Sequence, residues 1–325
     1  MRAVLCNAFT GPQDLVIGEI DAPTPAGDEI LIDVHAASVS FMDQLMVSGL
    51  YQMRPPTPFV PGTEAAGVVA AVGGKVTRFR PGDRVACVSW MGGYAERMVA
   101  RESRSVRLPA GVSFEAAATV LHNYGTAHYA LVECARAQQG ETVFITGAAG
   151  GVGLAAVDLA RHLGLRVIAG VGSDDKTALV RSFGAGDVIN YRSEDLRDRI
   201  KSITSGGGID IGFDNVGGAI FEQMARLMAW GGRLMPIGFT CGEIPSIPMN
   251  LPLLKNYSII GVFAGAWAEK HPDEAARMND MLVQWLADGK IRPHIDRILP
   301  LEEAGNAMRA VAGRTVQGRI VLRIR

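Results

Sequence analysis

Apolar positions in the middle of the chain change from an unbroken run to a helical period within a few residues. Residues 143–145, Val-Phe-Ile, predict a short buried strand. A helical stripe follows, at the spacing i, i+3, i+4, i+7, i+8 and i+11: Val152, Ala155, Ala156, Leu159, Ala160 and Leu163. A second apolar run covers Arg166 to Val171. The pattern therefore predicts a strand–helix–strand unit with parallel strands.

The first hundred residues alternate short apolar runs with Gly and Pro turns, which predicts a barrel-like β domain. The predicted strands are Ala3 to Phe9, Leu15 to Ile20, Glu29 to Ala37, Gly67 to Val72, Arg84 to Val88 and Tyr94 to Val99. From Ser113, a potential N-cap, the pattern becomes helical. It predicts one helix through Phe114–Leu121 and another from Ala127 to about Ala137.

Strands and helices then alternate, which predicts an α/β class with a parallel, doubly wound sheet. Further predicted elements are strands at Val188, Ile209–Phe213, Arg233–Ile237, Ser258–Phe263 and Arg319–Ile324, and helices at Phe221–Trp230, Pro272–Leu286 and Leu301–Val311. We expect a mostly β domain at 1–121, completed by 265–325, around an α/β domain at 122–264.

The turn between the first strand and its helix contains Gly147, Gly150, Gly151 and Gly153. Glycines there allow a tight turn and let the backbone approach a pyrophosphate, whose charge meets free N–H groups at the positive end of the helix. A glycine-rich turn also occurs in α/β proteins without a nucleotide. The complete strand–helix–strand context favours a dinucleotide site.

The end of the second strand bears on which dinucleotide is bound. NAD sites usually place Asp or Glu about twenty residues past the glycines, to bind the ribose 2′-OH. This chain has Gly172 and Ser173 there, followed by Lys176 and later Tyr191. A hydroxyl and an ammonium suit a 2′-phosphate, and we expect Asp174 and Asp175 to lie in the first turn of the next helix. We therefore predict NADPH as the cofactor.

Composition narrows the function classes. The chain has 325 residues, 32 Lys plus Arg and 33 Asp plus Glu, with a net charge of −1, so charge gives no case for nucleic acid or an acidic membrane. No apolar run is long enough for a membrane span. The 4 cysteines are scattered, which predicts a cytoplasmic protein without disulfides.

Several ordered motifs resemble the zinc-free quinone oxidoreductases of the medium-chain dehydrogenase/reductase superfamily. They are Ser48–Tyr51, Pro58–Gly67, Pro81–Arg84, Gly125–Ala127, Ala148–Gly153, Asp214–Gly217 and Gln317–Gly318. The resemblance covers nearly the whole chain. It implies a Rossmann domain inserted in a GroES-like β-barrel domain.

The resemblance also bears on zinc. Zinc-dependent relatives have a cysteine at the position of Ser40, a histidine at that of Thr63 and a third ligand near His122. Catalytic zinc needs three good protein ligands, and Ser and Thr are poor ones. His122 and Glu64 alone do not make a site, and no four-cysteine zinc loop is present, so we expect no metal.

By resemblance, one set of residues binds the coenzyme. Ala149, Gly150, Gly151, Val152 and Gly153 would hold the pyrophosphate; Ser173, Lys176, Tyr191 and Arg314 the 2′-phosphate; and Thr126, Asn215, Phe239 and Phe263 the ribose and nicotinamide. Alternatives remain open: Tyr191 as a surface aromatic, Arg314 as a solvated loop residue, and Phe239 and Phe263 as core.

The resemblance places Ser40, Asp43 and Tyr51 at polar positions that face the nicotinamide. Ser40 replaces the usual Asn, and Leu45 a frequent Tyr, so the substrate pocket is less polar. Asp43 is alternatively a helix cap. Tyr51 is the phenol best suited to donate a proton, although solvent is an alternative donor.

These observations predict an NADPH-dependent reductase that transfers hydride to a quinone or an activated enone. The alternatives are an enoyl-thioester or alkenal reductase of the same fold and a non-catalytic NADPH-binding protein. Residues 258–263 would be an exposed apolar sheet edge. We therefore expect a homodimer formed through that edge.

Overall fold

The structure is a computed structural model that describes all residues from Met1 to Arg325. The chain divides into two compact units. The first unit contains Met1–His122 and Ala268–Arg325, and the second unit contains Asn123–Trp267. None of the helices has the length and hydrophobicity needed to span a membrane.

The amino-terminal segment is mostly strand. Its elements are β1 (Arg2–Leu5), β2 (Val16–Glu19), β3 (Glu29–Val39), α1 (Phe41–Val47), β4 (Glu64–Val72), β5 (Arg84–Val88), β6 (Arg97–Arg101), β7 (Ser105–Arg107) and α2 (Phe114–Ala117). Ser113 caps α2 by accepting from the Ala116 N–H, as predicted. The helix ends at Ala117, before the predicted Leu121, and a separate helix starts at Leu121.

The middle segment alternates helix and strand. It contains α3 (Leu121–His128), β8 (Thr142–Ile145), α4 (Gly151–His162), β9 (Arg166–Val171), α5 (Thr177–Ser182), β10 (Asp187–Asn190), α6 (Leu196–Ile203), β11 (Ile209–Asp214), α7 (Gly218–Leu227), β12 (Met228–Pro236), α8 (Asn250–Lys255), β13 (Ser258–Ile259) and α9 (Ala264–Lys270). The carboxyl-terminal segment adds α10 (Pro272–Ala287), β14 (Ile295–Pro300), α11 (Ala304–Ala312) and β15 (Arg319–Arg323).

The strands of the second unit form one parallel sheet in the order β10-β9-β8-β11-β12-β13. This is the strand order of a doubly wound dinucleotide-binding sheet, as predicted. Its apolar core includes Phe144, Ile168, Ile189 and Leu234, all nearly inaccessible to solvent. The order reverses between β8 and β11, so the carboxyl ends of these two strands form the crevice where such folds bind ligands.

The first unit contains a sheet of seven strands in the order β14-β15-β3-β4-β5-β7, with β6 also paired to β3. The last strand of the chain, β15, runs antiparallel to β3 and pairs Ile320 with Val39. A buried apolar cluster that includes Ile30, Ile32 and Met98 stabilises this unit. Because β15 completes the sheet, residues from both ends of the chain meet in its interior.

Further predicted elements also differ from the structure in extent. The helix expected at 127–137 is the end of α3 followed by a π-helix, Tyr129–Cys134. The helix expected at 221–230 ends at Leu227, because Met228 adopts an extended conformation and pairs with Ile209 to begin β12. The final parallel strand covers only Ser258 and Ile259 rather than the six residues to Phe263.

Candidate dinucleotide site and the buried polar cluster

The glycine loop joins β8 to α4 at the reversal of the strand order. Gly147 has a φ of 57°, which favours glycine, and Gly150 is the N-cap of α4. A Cβ atom at Gly153 would collide with the carbonyl of Gly147, so this position also requires glycine. At Gly150 a Cβ atom would lie 3.4 Å from that carbonyl oxygen, which is ordinary contact. The loop therefore depends more strongly on Gly147 and Gly153 than on Gly150.

The first turn of α4 offers N–H groups to an anion. The first intrahelical bond is donated by Leu154 to the Gly150 carbonyl, 2.8 Å away. The preceding amides, those of Gly151, Val152 and Gly153, have no acceptor within the helix. Together with the positive end of the helix dipole, these donors suit an anion, and they lie at the position predicted for the pyrophosphate. Ala149 lies in the same loop and is buried.

Hydrogen bonds between the ends of β8 and β11 hold the two sides of the crevice together. The Thr146 hydroxyl donates to Asp214 Oδ1 at 2.5 Å, and the Gly217 N–H donates to Asp214 Oδ2 at 2.7 Å. Asn215 donates from Nδ2 to the Thr146 carbonyl at 2.8 Å, and its N–H donates to Thr146 Oγ1. Asn215 is thus locked beside the glycine loop, where the resemblance places a coenzyme residue.

The two phenylalanines of the predicted nicotinamide side are accessible to solvent in the second unit. Phe239 follows β12 and is 37% exposed, and Phe263 follows β13 and is 47% exposed. They are therefore not core residues. Thr126, the other predicted residue on this side, is half-buried in α3.

The tip of β9 is surrounded by the residues predicted to select the coenzyme. Ser173 follows Gly172 directly, and Asp174–Lys176 form the first short turn of the next helix, as expected. The hydroxyl of Tyr191 lies 3.4 Å from the point where a Cβ atom on Gly172 would lie. Arg192 was not among the predicted residues, but its Nε lies 3.6 Å from the same point. The signal was available, since Arg192 directly follows Tyr191.

Arg314, the remaining predicted 2′-phosphate residue, belongs to the first unit. It lies in the exposed turn after α11, with a φ of 58°. Its role in the coenzyme site stays a prediction.

Ser40 and Asp43 form a capping box at the start of α1. The Ser40 hydroxyl accepts from the Asp43 N–H at 3.0 Å and donates to Asp43 Oδ2 at 2.6 Å, and the Ser40 N–H donates to the same oxygen at 2.7 Å. The Tyr94 hydroxyl adds a further bond to Asp43 Oδ2 at 3.0 Å. All three residues are buried. The alternative interpretation of Asp43 as a cap therefore describes its contacts.

This bonding limits what Ser40 offers a substrate. A hydroxyl has one hydrogen to donate, and that of Ser40 is directed at a buried carboxylate. Burial raises the pKa of Asp43, although its bonds from Ser40 and Tyr94 oppose the shift. Ser40 can accept another hydrogen bond but donates only if it gives up its bond to Asp43.

Glu64 belongs to a buried polar cluster that also contains Ser38, Ser40, Asp43, Tyr94 and Arg319. Its carboxylate accepts from the Ser38 hydroxyl at 3.0 Å and from the His122 N–H at 3.0 Å. Burial raises the pKa of Glu64 to about 7, although the Arg319 charge and these bonds oppose the shift. Burial, helped by the same guanidinium, lowers the pKa of His122 to about 3. Arg319 donates to the Val39 carbonyl at 3.0 Å and is buried.

These residues do not fit a catalytic metal. Zinc needs three or more ligands among His, Cys, Asp and Glu, and no such group is assembled in the structure. Ser40 is bonded to Asp43, and Thr63 presents only a buried hydroxyl that has no hydrogen-bond partner. The guanidinium of Arg319 adds a permanent positive charge among the same groups. A divalent cation would therefore find too few good ligands here and would be repelled by this fixed charge.

Tyr51 is the most available proton donor among the predicted catalytic residues. It follows the turn after α1 and is half-buried. Burial raises the pKa of its phenol above the usual value. The phenol therefore keeps its proton at neutral pH and can donate it.

Two family models match the chain. The model described as alcohol dehydrogenase GroES-like domain matches residues 26–110, and the one described as zinc-binding dehydrogenase matches residues 151–283. The second description names zinc, and the donor set of this chain does not fit that metal.

Full-length relatives agree with these matches. The mouse quinone oxidoreductase-like protein 2 is 39% identical over 328 residues, covering 100% of this chain and 92% of the mouse protein. Human quinone oxidoreductase is 34% identical over 327 residues, covering 99% and 97%. The crystal structure of Escherichia coli quinone oxidoreductase complexed with NADPH has a TM-score of 0.94 and 29% identity, with 100% of both chains covered. This chain belongs to the zinc-free quinone oxidoreductases of the medium-chain dehydrogenase/reductase superfamily.

Proposed function

We propose that the protein is an NADPH-dependent reductase that transfers hydride to a quinone without a metal. The observation that carries the proposal is the glycine loop at the strand reversal, in a chain that resembles, over its whole length, a quinone oxidoreductase solved with NADPH. Relatives named quinone oxidoreductase cover nearly the entire chain.

The second unit contains the groups that would hold the coenzyme. The Gly150–Gly153 turn would bind the pyrophosphate with free amides. Ser173, Lys176 and Tyr191 would meet the 2′-phosphate, and Arg314 is a further candidate by resemblance. Asn215, Phe239, Phe263 and Thr126 would contact the ribose and nicotinamide. Bound NADPH supplies the hydride, from C4 of its nicotinamide ring.

Reduction of a quinone by NADPH and one proton gives a hydroquinone and NADP⁺. The hydride brings one hydrogen and both electrons, and the proton brings the second hydrogen, so that each quinone oxygen ends as a hydroxyl. We assign proton donation to Tyr51, because its phenol stays protonated at neutral pH. Ser40 accepts rather than donates, since Asp43 holds its hydrogen. The remaining contribution of the protein is the positioning of donor and acceptor.

An acceptor comparison tests the proposal. The rate of NADPH oxidation is measured with 1,2-naphthoquinone and with a crotonyl thioester, on protein dialysed against a chelator. We expect turnover with the quinone. Turnover with the thioester alone would assign the protein to enoyl reduction, and NADPH binding without turnover of any acceptor would make it a non-catalytic binder.

We also propose a homodimer formed through the open edge of β13. An unpaired apolar edge invites pairing, and Ile259 on this strand is 40% exposed. Large exposed apolar residues precede it: Ile244, Met249, Leu253 and Leu254. An exposed apolar segment of this size marks an interaction surface. A second copy can add its own β13 and extend both sheets.

We place the protein in the cytoplasm. The proposal rests on Cys6, Cys87, Cys134 and Cys241, none of which forms a disulfide. Cysteines that are scattered along the chain and form no disulfide are typical of proteins in a reducing compartment. Fractionation of source cells with an antibody to this chain tests the assignment.

A further inference from the structure

Asn190 lies at the carboxyl end of β10, directly beside the tip of β9. It pairs with Val171, the last residue of β9, and the next N–H, that of Tyr191, donates to the Val171 carbonyl at 3.2 Å. Asn190 is only 8% exposed. The two strand tips are therefore held together up to the point where the coenzyme ribose is expected.

The side chain of Asn190 connects two neighbouring turns. Its Oδ1 accepts from the Arg192 N–H at 3.1 Å, and its Nδ2 donates to Asp174 Oδ1 at 2.7 Å. Its own N–H donates to Glu194 Oε1 at 2.8 Å. One amide thus fixes both the turn that carries Tyr191 and Arg192 and the carboxylate of the turn after β9.

These hydrogen bonds occupy the carboxylates near the tip of β9 and leave a guanidinium exposed. The Asp174 carboxylate is bound to Asn190, and the Glu194 carboxylate accepts from Asn190 and pairs with Arg199 at 2.8 Å. Arg192 is exposed and makes no ion pair. Its Nε and the Tyr191 hydroxyl both lie against Gly172, at 3.6 and 3.4 Å from the Cβ position. The Arg192 guanidinium and the Tyr191 phenol therefore lie against the strand tip, and the Asp174 carboxylate is held by the Asn190 amide.

We infer that Asn190 is a positioning residue that selects NADPH over NADH, by restraining Asp174 and directing Arg192 to the 2′-phosphate. The inference rests on the proposed function, which requires that NADPH binds to the second unit. A free carboxylate at this position would bind the ribose 2′-OH and repel a phosphate. A guanidinium binds phosphate through paired, charge-assisted hydrogen bonds. Arg192 is the contact residue, and Asn190 acts through it and through Asp174.

The contact role of Arg192 is tested by coenzyme binding. Dissociation constants for NADPH and NADH are measured by calorimetry on the wild-type protein, Arg192→Gln and the control Arg197→Gln. Arg197 is an exposed arginine on α6 without an ion pair. We expect Arg192→Gln to weaken NADPH binding about tenfold or more, as for a lost charge-assisted bond, and to leave NADH binding unchanged. Arg197→Gln should match the wild type.

The positioning role of Asn190 is tested by rescue. Asn190→Ala frees the Asp174 carboxylate, so we expect weaker NADPH binding and a smaller ratio of NADPH to NADH affinity. Adding Asp174→Ala removes the repulsion and should restore a large part of the NADPH affinity. A purely structural role predicts no such recovery.

The outcomes separate this inference from the proposed function. A wild-type protein that binds neither coenzyme would overturn the proposed function, and the inference with it. A wild-type protein that binds NADPH, together with an Arg192→Gln variant of unchanged preference, would overturn only the inference. The same holds if Asn190→Ala and the double variant lose NADPH equally.

Discussion

The backbone carbonyl of Gly147 fills the space beside the Cα atom of Gly153, so that a Cβ atom at Gly153 would collide with it. The atoms that such a Cβ atom would meet are backbone atoms of Gly147 and Ala148. They cannot move aside unless the loop opens. The first turn of α4 and the end of β8 are thus held at a fixed close distance. This contact sets the shape of the loop at the predicted pyrophosphate site.

The Gly153→Ala variant tests that contact. We expect it to weaken NADPH binding by about tenfold or more and to lower the melting temperature, because the helix must shift away from the loop. Gly150→Ala is the matched control, since its Cβ atom would make only an ordinary contact at 3.4 Å. Calorimetry and thermal unfolding measure both effects. Equal losses in the two variants would contradict the steric account.

Replacement of Tyr51 by Phe tests the proton donor. We expect kcat with 1,2-naphthoquinone to fall by about tenfold to a hundredfold, since water would have to replace a positioned acid. The dissociation constant for NADPH should not change. The neighbouring exposed Leu50, changed to Ala, is the control. An unchanged kcat in Tyr51→Phe would transfer proton donation to solvent.

The buried carboxyl of Glu64 should make the free energy of unfolding depend on pH. Its pKa is raised from 4.5 in the unfolded chain to about 7 in the folded protein, so the folded state binds the extra proton between these values. Stability contributed by protonated Glu64 is present below about pH 4.5 and is lost as the pH rises through about 7. The shift corresponds to a loss of up to about 3 kcal/mol.

The Glu64→Gln variant isolates this effect. Gln stays neutral, so the free energy of unfolding of the variant relative to the wild type should increase from about pH 5 to about pH 8. His122 has the opposite pH dependence: because folding lowers its pKa, the folded state loses stability as the pH falls below about 6.5. This contribution is present in both proteins, so it cancels in the difference. Urea unfolding at both pH values measures the difference. A difference that does not change with pH would show that Glu64 is ionised throughout.

A charged residue on the edge of β13 should prevent the proposed homodimer from forming. Ile259→Lys would place like charges at the edge where two copies meet, so we expect a monomer in sedimentation velocity at micromolar concentration. Val16→Lys is the control, because Val16 is a similarly exposed strand residue, 45% against 40%, in the first unit. A wild-type protein that is already monomeric would contradict the dimer.

Local sequence patterns were sufficient for the strand–helix–strand unit. The apolar run of β8, the stripe of α4 and the glycines between them each have a local cause, and the structure confirms their order. The π-helix at Tyr129–Cys134 has no such signature, because it shifts the helical period without changing the type of residue. The start of β12 at Met228 depends on pairing with Ile209, which a helical pattern cannot reveal.

The buried polar cluster shows where prediction from sequence ends. The poor zinc ligands at Ser40 and Thr63 could be recognised from residue type alone. The placement of Arg319 beside Glu64 could not, since it depends on the final strand pairing with β3. The restraint of Asp174 by Asn190 is likewise a contact between two turns that only the folded sheet brings together.

The central claim is that the chain binds a phosphorylated nicotinamide coenzyme without a metal. Its most direct test is a calorimetric titration of NADPH into protein that has been dialysed against a chelator and analysed for metals. The account predicts one binding event per chain, tighter than for NADH and unchanged by the chelator. No heat with NADPH, or binding that returns only when a stoichiometric transition metal is restored, would contradict it.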